Sequence, residues 1–349
     1  MERTVDLYLK GMELGHAQSY GDMVMFPILS TQSEGPEYLT MSDALENGSL
    51  VIGEVSAGGS VPELKAVNKG REAVLMLDGE ELVGAKQNRV LNTTIMIGPG
   101  SSVVIPVSCV EQRRWRGADL RMERSENVMA ASLRSKKVAS VNRNLEVSDA
   151  YMADQAMIWD GVRKCADELG VNSPTGAMRD IYEARKKDLD DYLQAFSPVL
   201  RQKGLLVFIK GKPAGMDFVS REKAFASLFN KLLRSYVLET LLAGGRGPSG
   251  KIVVEDKNTG AARVSADRAA AFLEEAGRCE EKRFASIGLG LSCRYRGKQL
   301  VGAGLEVDGS MPHLAFFSLN GANEQAGGSR GGGNFPRLRT RQWFVVIND

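Results

Sequence analysis

The stretch LMLDGEELVGAKQNRVLNTTIMIGPGSSVVIPVSCVEQRRW, residues 75–115, decides how the rest of the chain is read. Two apolar, β-branched runs, 90–97 and 103–110, flank Gly98-Pro99-Gly100-Ser101. Proline presets φ at the second turn position and glycine accepts a positive φ at the third, so the spacing predicts a β-hairpin. Pairing Gly98 with Ser101 sets Val90 opposite Cys109, Asn88 opposite Glu111 and Gln87 opposite Gln112. Alternation then places Asn88, Val90, Asn92, Thr94 and Met96 on one face with Val103, Ile105, Val107, Cys109 and Glu111. That face is apolar near the turn and ends in an amide, a thiol and a carboxylate.

Around this open end stand Glu80, Glu81, Lys86, Arg89, Arg114 and Trp115, more charge than a plain hairpin needs. A solvated strand end with ion pairs is the plain alternative. The functional reading makes Glu111 a general acid/base oriented by Asn88 and Arg89. Glu81 would bind ribose hydroxyls, the amides of Gln87, Asn92 and Gln112 would hold sugar or phosphate oxygens, Lys86, Arg89 and Arg114 would clamp phosphate, and Trp115 would stack on a base or ribose. Cys109 is a second catalytic candidate, since Arg114 or Lys86 would favour its thiolate. Against this, no histidine is placed to act as base, and Val107 and Val110 suggest burial.

Several motifs here resemble the ARG and Rhodanese-Phosphatase-superfamily-associated Protein domain, in which ARG stands for ADP-ribosylglycohydrolase. The resemblance rests on Gly79-Glu80-Glu81-Leu82, Gly84-Ala85-Lys86-Gln87-Asn88-Arg89, Asn92-Thr93-Thr94, Ile105-Pro106-Val107-Ser108-Cys109-Val110-Glu111 and Arg114-Trp115. It continues through Trp159, Ser173-Pro174-Thr175, Gly211-Lys212-Pro213-Ala214-Gly215 and Leu232-Leu233-Arg234-Ser235-Tyr236, covering roughly residues 15–243. Arg113 stands where the resembled motif has Gly, so the aim of Arg114 and Trp115 depends on the backbone there. The resemblance implies a family of unsettled biochemical function with a link to ADP-ribose or nucleotide chemistry.

The 349 residues carry a formal net charge of +2, with 43% hydrophobic and 25% charged residues, ordinary for a globular protein. Near-neutrality argues against wholesale nucleic-acid binding, although Arg113, Arg114 and Arg116, or Lys203, Lys210 and Lys212, would serve a local phosphate. The four cysteines, Cys109, Cys165, Cys279 and Cys293, form no CxxC pair, which fits a reducing compartment. The amino terminus MERTVDLYLKGMELG lacks a continuous apolar core, and no run approaches the roughly 18 apolar residues of a membrane span. The expectation is a cytoplasmic protein. The two histidines, His16 and His313, have no partners at ligand spacing, which removes a cupin-type metal site. No cofactor is required; Glu80, Glu81 and Glu111 are the carboxylates a Mg²⁺ site would use.

Along the chain, residues 3–9 read as a strand, 23–29, 50–55 and 73–77 as strands, and 40–46 as a short helix capped by Thr40 or Ser42. Residues 116–148, rich in Arg, Ser and Asn, read as a long surface loop beside the hairpin mouth. Helical spacing covers 149–169, with Cys165 on its apolar face, then 175–196, capped by Ser173 or Thr175. A hairpin is expected at 205–219, and then a helix capped by Ser220 with Phe225, Leu228, Phe229, Leu232, Tyr236 and Leu241 on one stripe. The glycine-rich 244–250 reads as a linker. Its likeness to a phosphate-binding loop fails because Ile252 stands where a hydroxyl is needed and the element order is reversed. Beyond it a strand at 251–254, a helix at 266–276, a hairpin from 284–295 and 300–307, a strand at 314–319, a Gly/Arg loop at 327–341 and a strand at 343–347 are expected.

The fold expected is α+β, a β-rich N-terminal half with a central hairpin and a helical and mixed C-terminal half packed against it. Residues 1–243 form the associated-protein domain, and 251–349 a mixed extension that either stands apart or shares its globule. Two function classes follow. One is an enzyme acting on ADP-ribose or a nucleotide derivative through Glu111; the other is a non-enzymatic ligand-binding or protein-interaction module using the same residues.

Overall fold

The computed structural model describes residues 3–115, 120–244 and 264–319. The chain begins with α1 (Thr4–Lys10), where a strand was expected. Val5, Tyr8 and Leu9 are its buried residues, and spacings of three and four mark a helix face, not a strand face. Next come β1 (Met12–Leu14), β2 (Gln18–Tyr20), β3 (Met23–Ser30), β4 (Tyr38–Thr40) and α2 (Met41–Glu46). Thr40 caps α2 as expected, its Oγ1 accepting from the Asp43 N–H at 3.2 Å. Then follow β5 (Leu50–Glu54), β6 (Glu63–Asn68), β7 (Ala73–Met76), β8 (Glu80–Gly84), β9 (Arg89–Leu91), β10 (Ile95–Ile97), β11 (Ser102–Cys109) and β12 (Met122–Val128).

The turn at 98–101 forms, with Gly100 at φ 62°, but its flanking runs do not zip together. β10 pairs with β7, and the first half of β11 pairs with β6. Only Val107, Ser108 and Cys109 meet β9, opposite Leu91, Val90 and Arg89. The pairing is therefore one residue out of the predicted register, which exchanges faces: Cys109 shares its side with Arg89, while Val90 shares its side with Ser108. The break falls at the polar triplet Asn92-Thr93-Thr94. Asn92 donates to the Tyr151 carbonyl at 3.0 Å and accepts from Ser108 Oγ at 2.7 Å, and Thr94 Oγ1 accepts from the Asp78 N–H at 3.0 Å. Side chains fastened to other segments prevent one long ribbon.

Three sheets result among the described residues. The six-stranded one runs β12-β8-β9-β11-β6-β5, and its outer strands meet again at a Gly53–Arg121 bridge, with the Glu54 N–H bonded to the Leu120 carbonyl at 3.0 Å. It thus curls round a core that includes Leu50, Ile52, Leu64, Leu82, Leu91, Ile105 and Val107. A three-stranded sheet, β10-β7-β4, lies beside it.

The expected loop at 116–148 is overturned by β12 and by α3 (Ala131–Ser148). Alongside Leu133, Val138, Val141 and Leu145, α3 buries Arg134, Ser135, Lys137, Ser140 and Asn142. A helix whose inner face carries charges and amides shows little apolar period, so pattern reading misses it. α4 (Gln155–Glu168) is capped by Asp154, whose Oδ1 accepts from the Met157 N–H at 3.1 Å. The single helix expected over 175–196 is two, α5 (Met178–Ala184) and α6 (Lys186–Ala195), broken at Arg185. Ala177 sits at the N-cap of α5 without a side-chain bond.

β13 (Gln202–Ile209) and β14 (Lys212–Val219) form the predicted hairpin, turning at Lys210 and Gly211 with φ 48° and 74°. α7 (Glu222–Leu242) buries the predicted stripe from Phe225 to Tyr236. Ser220 does not cap it; its hydroxyl donates to the Glu34 carbonyl at 2.7 Å, and Arg221 holds the cap position. α8 (Ala266–Gly277), β15 (Glu280–Ala285), β16 (Leu291–Arg296), β17 (Leu300–Val307) and β18 (Ser310–Ser318) complete the described chain. The nine-stranded sheet runs β1-β3-β13-β14-β18-β17-β16-β15, with β2 on β3, so strands after 280 extend a sheet begun before 30. The linker-like 245–250, the strands expected at 251–254 and 343–347 and the Gly/Arg loop at 327–341 lie outside the described residues.

Candidate functional site

The structure is that of an α+β protein whose curled sheet carries a polar cleft on one outer side. β8 ends at Gly84, with φ 111°, and the following Ala85 also has a positive φ, 40°. Such a conformation is costly for alanine, and here it turns both carbonyls toward one side chain. Arg114 Nη1 donates to the Ala85 carbonyl at 2.8 Å and Nη2 to the Gly84 carbonyl at 3.1 Å. Arg114 Nη2 also reaches Asn88 Oδ1 at 3.0 Å and Glu111 Oε2 at 2.8 Å. Asn88 and Glu111 therefore converge on one guanidinium despite the shifted register. They do so because Glu111 lies past the end of β11, bridged to Ala177, with its Oε2 accepting from the Asn88 N–H at 3.1 Å. Arg113, which is absent from the positive-φ residues, donates its N–H to the Thr175 carbonyl at 2.9 Å and leaves the aim of Arg114 intact.

These groups form one wall of an open cleft of about 490 Å³, within the range of small-molecule sites. Arg121, just before β12, and Glu123 within it contribute, and α5 contributes Arg179, Asp180 and Glu183. Arg179 Nε donates to Glu183 Oε1 at 2.6 Å. Burial pushes the Glu111 carboxyl up, but the Arg114 guanidinium, the Asn88 N–H and the Thr175 hydroxyl outweigh it and hold it below the usual range. Glu111 is thus a fixed carboxylate, poorly suited to deliver a proton near neutrality.

Beneath the cleft, Gln87 donates to the Glu111 carbonyl at 3.0 Å and accepts from Arg89 Nη1 at 2.9 Å. Arg89 is fully buried, 4.0 Å from Glu54 and with its guanidinium carbon 5.6 Å from the Trp115 ring centre. Trp115 is about half exposed and covers Arg89; it does not line the cleft. Cys109 is buried, its Sγ donating to the Glu111 carbonyl at 3.3 Å, and burial pushes its thiol up. Lys86 lies over the Gly59 turn beside Glu54, Asn92 packs against Ser108 and Tyr151, and Gln112 is exposed next to Gly176. Of the eleven residues given a catalytic or binding role from the sequence, Asn88, Glu111 and Arg114 line the cleft.

Glu80 and Glu81 diverge, as neighbours on a strand must. Glu80 accepts from Lys231 Nζ at 2.8 Å and from the Leu77 N–H at 2.8 Å. Glu81 takes Ser125 Oγ at 2.6 Å and Asn127 Nδ2 at 3.0 Å on Oε2. The three carboxylates considered for Mg²⁺ are therefore not brought together, and among the described residues no group of three or more His, Cys, Asp or Glu could hold a metal ion.

Sequence reading missed Arg121, Glu123, Arg179, Asp180 and Glu183. Arg179 and Glu183 stand four apart, the spacing of an ordinary exposed helix pair, and Arg121 and Glu123 fell in the supposed loop. It also missed a buried ionic core. Arg134 clasps Asp217 at 2.7 and 2.9 Å, Tyr236 donates to Asp217 at 2.8 Å, and His313 Nε2 lies 3.5 Å from it. Lys137 pairs with Asp78 at 2.6 Å. The signal available was the very scarcity of apolar residues in α3.

The model of the ARG and Rhodanese-Phosphatase-superfamily-associated Protein domain matches residues 11–317, and the chain belongs to that family. The match extends well past the 15–243 covered by the motifs and takes in the strands up to β18. No curated protein and no solved structure matches the chain. Among the described residues no helix is long and apolar enough to cross a membrane.

Proposed function

We propose that the protein binds ADP-ribose or a related nucleotide derivative in the cleft between β8, β12 and α5. The observation that carries this is the mixed lining of a ligand-sized cleft: Arg114, Arg121 and Arg179 interleaved with Glu111, Glu123, Asp180 and Glu183, with the Asn88 amide between them. Arginine N–H groups match phosphate oxygens, and carboxylates and amides accept from vicinal hydroxyls. A ligand carrying both, a phosphorylated sugar, uses both halves of the lining, whereas a bare polyanion meets four carboxylates. The family's name, which joins it to ARG and the rhodanese-phosphatase superfamily, points in the same direction.

Binding is favoured over hydrolysis, because Glu111 is tied to Arg114 as a carboxylate and Cys109 is buried as a thiol. In this reading Arg114 positions the wall, since its guanidinium already serves two carbonyls, an amide and a carboxylate, and Arg179 and Arg121 meet the ligand. The test is calorimetric titration with ADP-ribose and a panel of nucleotides against wild type and Arg179→Glu, with recovery of the ligand afterwards. Saturable binding that the reversal weakens at least about tenfold, about 1.4 kcal/mol, with ligand recovered unchanged, is expected. Turnover abolished in Glu111→Gln would support the hydrolase instead.

A further inference from the structure

Val83 and Glu123, opposite each other across β8 and β12, line the cleft. Glu81 lies two residues before Val83, hence on the same side of the sheet and roughly 7 Å further in. It is fully buried. Its Oε2 carries both bonds from β12, while Oε1 is buried and has no hydrogen-bond partner. Between Arg124 and Val128 the register of the β8–β12 ladder shifts, and in that interval the Glu81 carboxyl meets the Ser125 hydroxyl and the Asn127 side-chain amide.

The charged and titratable groups around it come from three sides. α5 supplies Arg179 and Tyr182, the turn after β11 supplies Glu111, and β12 supplies a hydroxyl and an amide. α7 adds Arg234 behind Tyr182. Arg179 is thus the cation that serves both Glu81 from below and the cleft from above, and it lies already against Glu183.

Resting on the reading of the cleft as an ADP-ribose site, we propose that Glu81 couples that site to protons, holding a proton while an anionic ligand is bound and releasing it as the cleft empties. A diphosphate above Arg179 adds negative potential to a carboxyl that lacks a contacting cation, which favours its uncharged form. By linkage the ligand is held less tightly once Glu81 ionises. Burial pushes the carboxyl up to about 7 against the pull of Ser125 and Asn127, so the change falls near neutrality.

The experiment titrates wild type and Glu81→Gln with ADP-ribose, whose diphosphate keeps its charge over the interval, at about pH 6 and about pH 8.5. In parallel it follows the glutamate side-chain carboxyl carbons of the wild type by NMR. Expected are affinity about tenfold weaker at the higher pH in the wild type, the same affinity at both in Glu81→Gln, and a near-neutral carboxyl titration, absent from the variant, that moves to higher pH when ADP-ribose is added. ADP-ribose binding that is equal at both pH values, or equally pH-dependent in the two proteins, overturns the coupling and leaves the binding site standing. A near-neutral titration without any ADP-ribose binding overturns the site, and the coupling with it.

Discussion

Glu81→Gln tests the electrostatics of the cleft's underside without any ligand. The ordinary carboxyl value of 4.5 rises to about 7 in the fold, chiefly through burial, with Ser125 and Asn127 only partly offsetting it. A carboxyl raised on folding stabilises the native state fully below its unfolded value and loses that contribution as pH rises through the folded one. At about 1.36 kcal/mol for each pH unit of difference, the wild type at about pH 8.5 bears a penalty of about 3 kcal/mol relative to an uncharged side chain, and at about pH 5.5 one of only about 1 kcal/mol. Glutamine keeps the oxygen that Ser125 and Asn127 bond and cannot ionise. Urea unfolding of both proteins should show the variant gaining on the wild type by about 2 kcal/mol between the two pH values. Other titrating groups are common to both and cancel in the difference. A gap that does not change with pH, or that narrows as pH rises, refutes the reasoning.

Removing one partner of the buried pair by Asp217→Asn should cost about 3–5 kcal/mol, because Arg134 is left charged without its bidentate partner; chemical denaturation checks this, and Asp217→Leu combined with Arg134→Met should recover most of the loss. Arg114→Ala strips a donor from the Gly84 and Ala85 carbonyls, Asn88 and Glu111, costing about 2–3 kcal/mol, and should abolish ADP-ribose binding with the wall. Cys109, buried and with its thiol raised, should resist a thiol reagent in the native protein and be modified only on unfolding; mass mapping that finds it labelled as fast as a small free thiol contradicts this.

What was legible in the sequence was local. The Gly98–Ser101 turn, the Thr40 cap, the 205–219 hairpin and the apolar stripe of α7 each announce themselves within a few residues, through φ preference, capping or period. What failed depended on distant partners. Nothing near Asn92-Thr93-Thr94 tells that Tyr151, Ser108 and Asp78 will hold its polar atoms, so one ribbon was expected where the chain divides between two sheets. Arg134 and Lys137 looked like surface charges because Asp217 and Asp78 lie far away in sequence. The site shows the same division. Asn88, Glu111 and Arg114 could be grouped because they lie within 27 residues of one another about a legible turn and β9 does pair with β11, whereas Arg179 and Asp180 arrive on a helix docked by the Met178 N–H to Val110 carbonyl bond.

A crystal of the protein soaked with ADP-ribose puts the binding site most directly at risk. The diphosphate should lie within hydrogen-bond reach of Arg179 or Arg121, with ribose hydroxyls directed to the carboxylates and Asn88. Density for the ligand anywhere else on the molecule, with this cleft empty at saturating concentration, would contradict it.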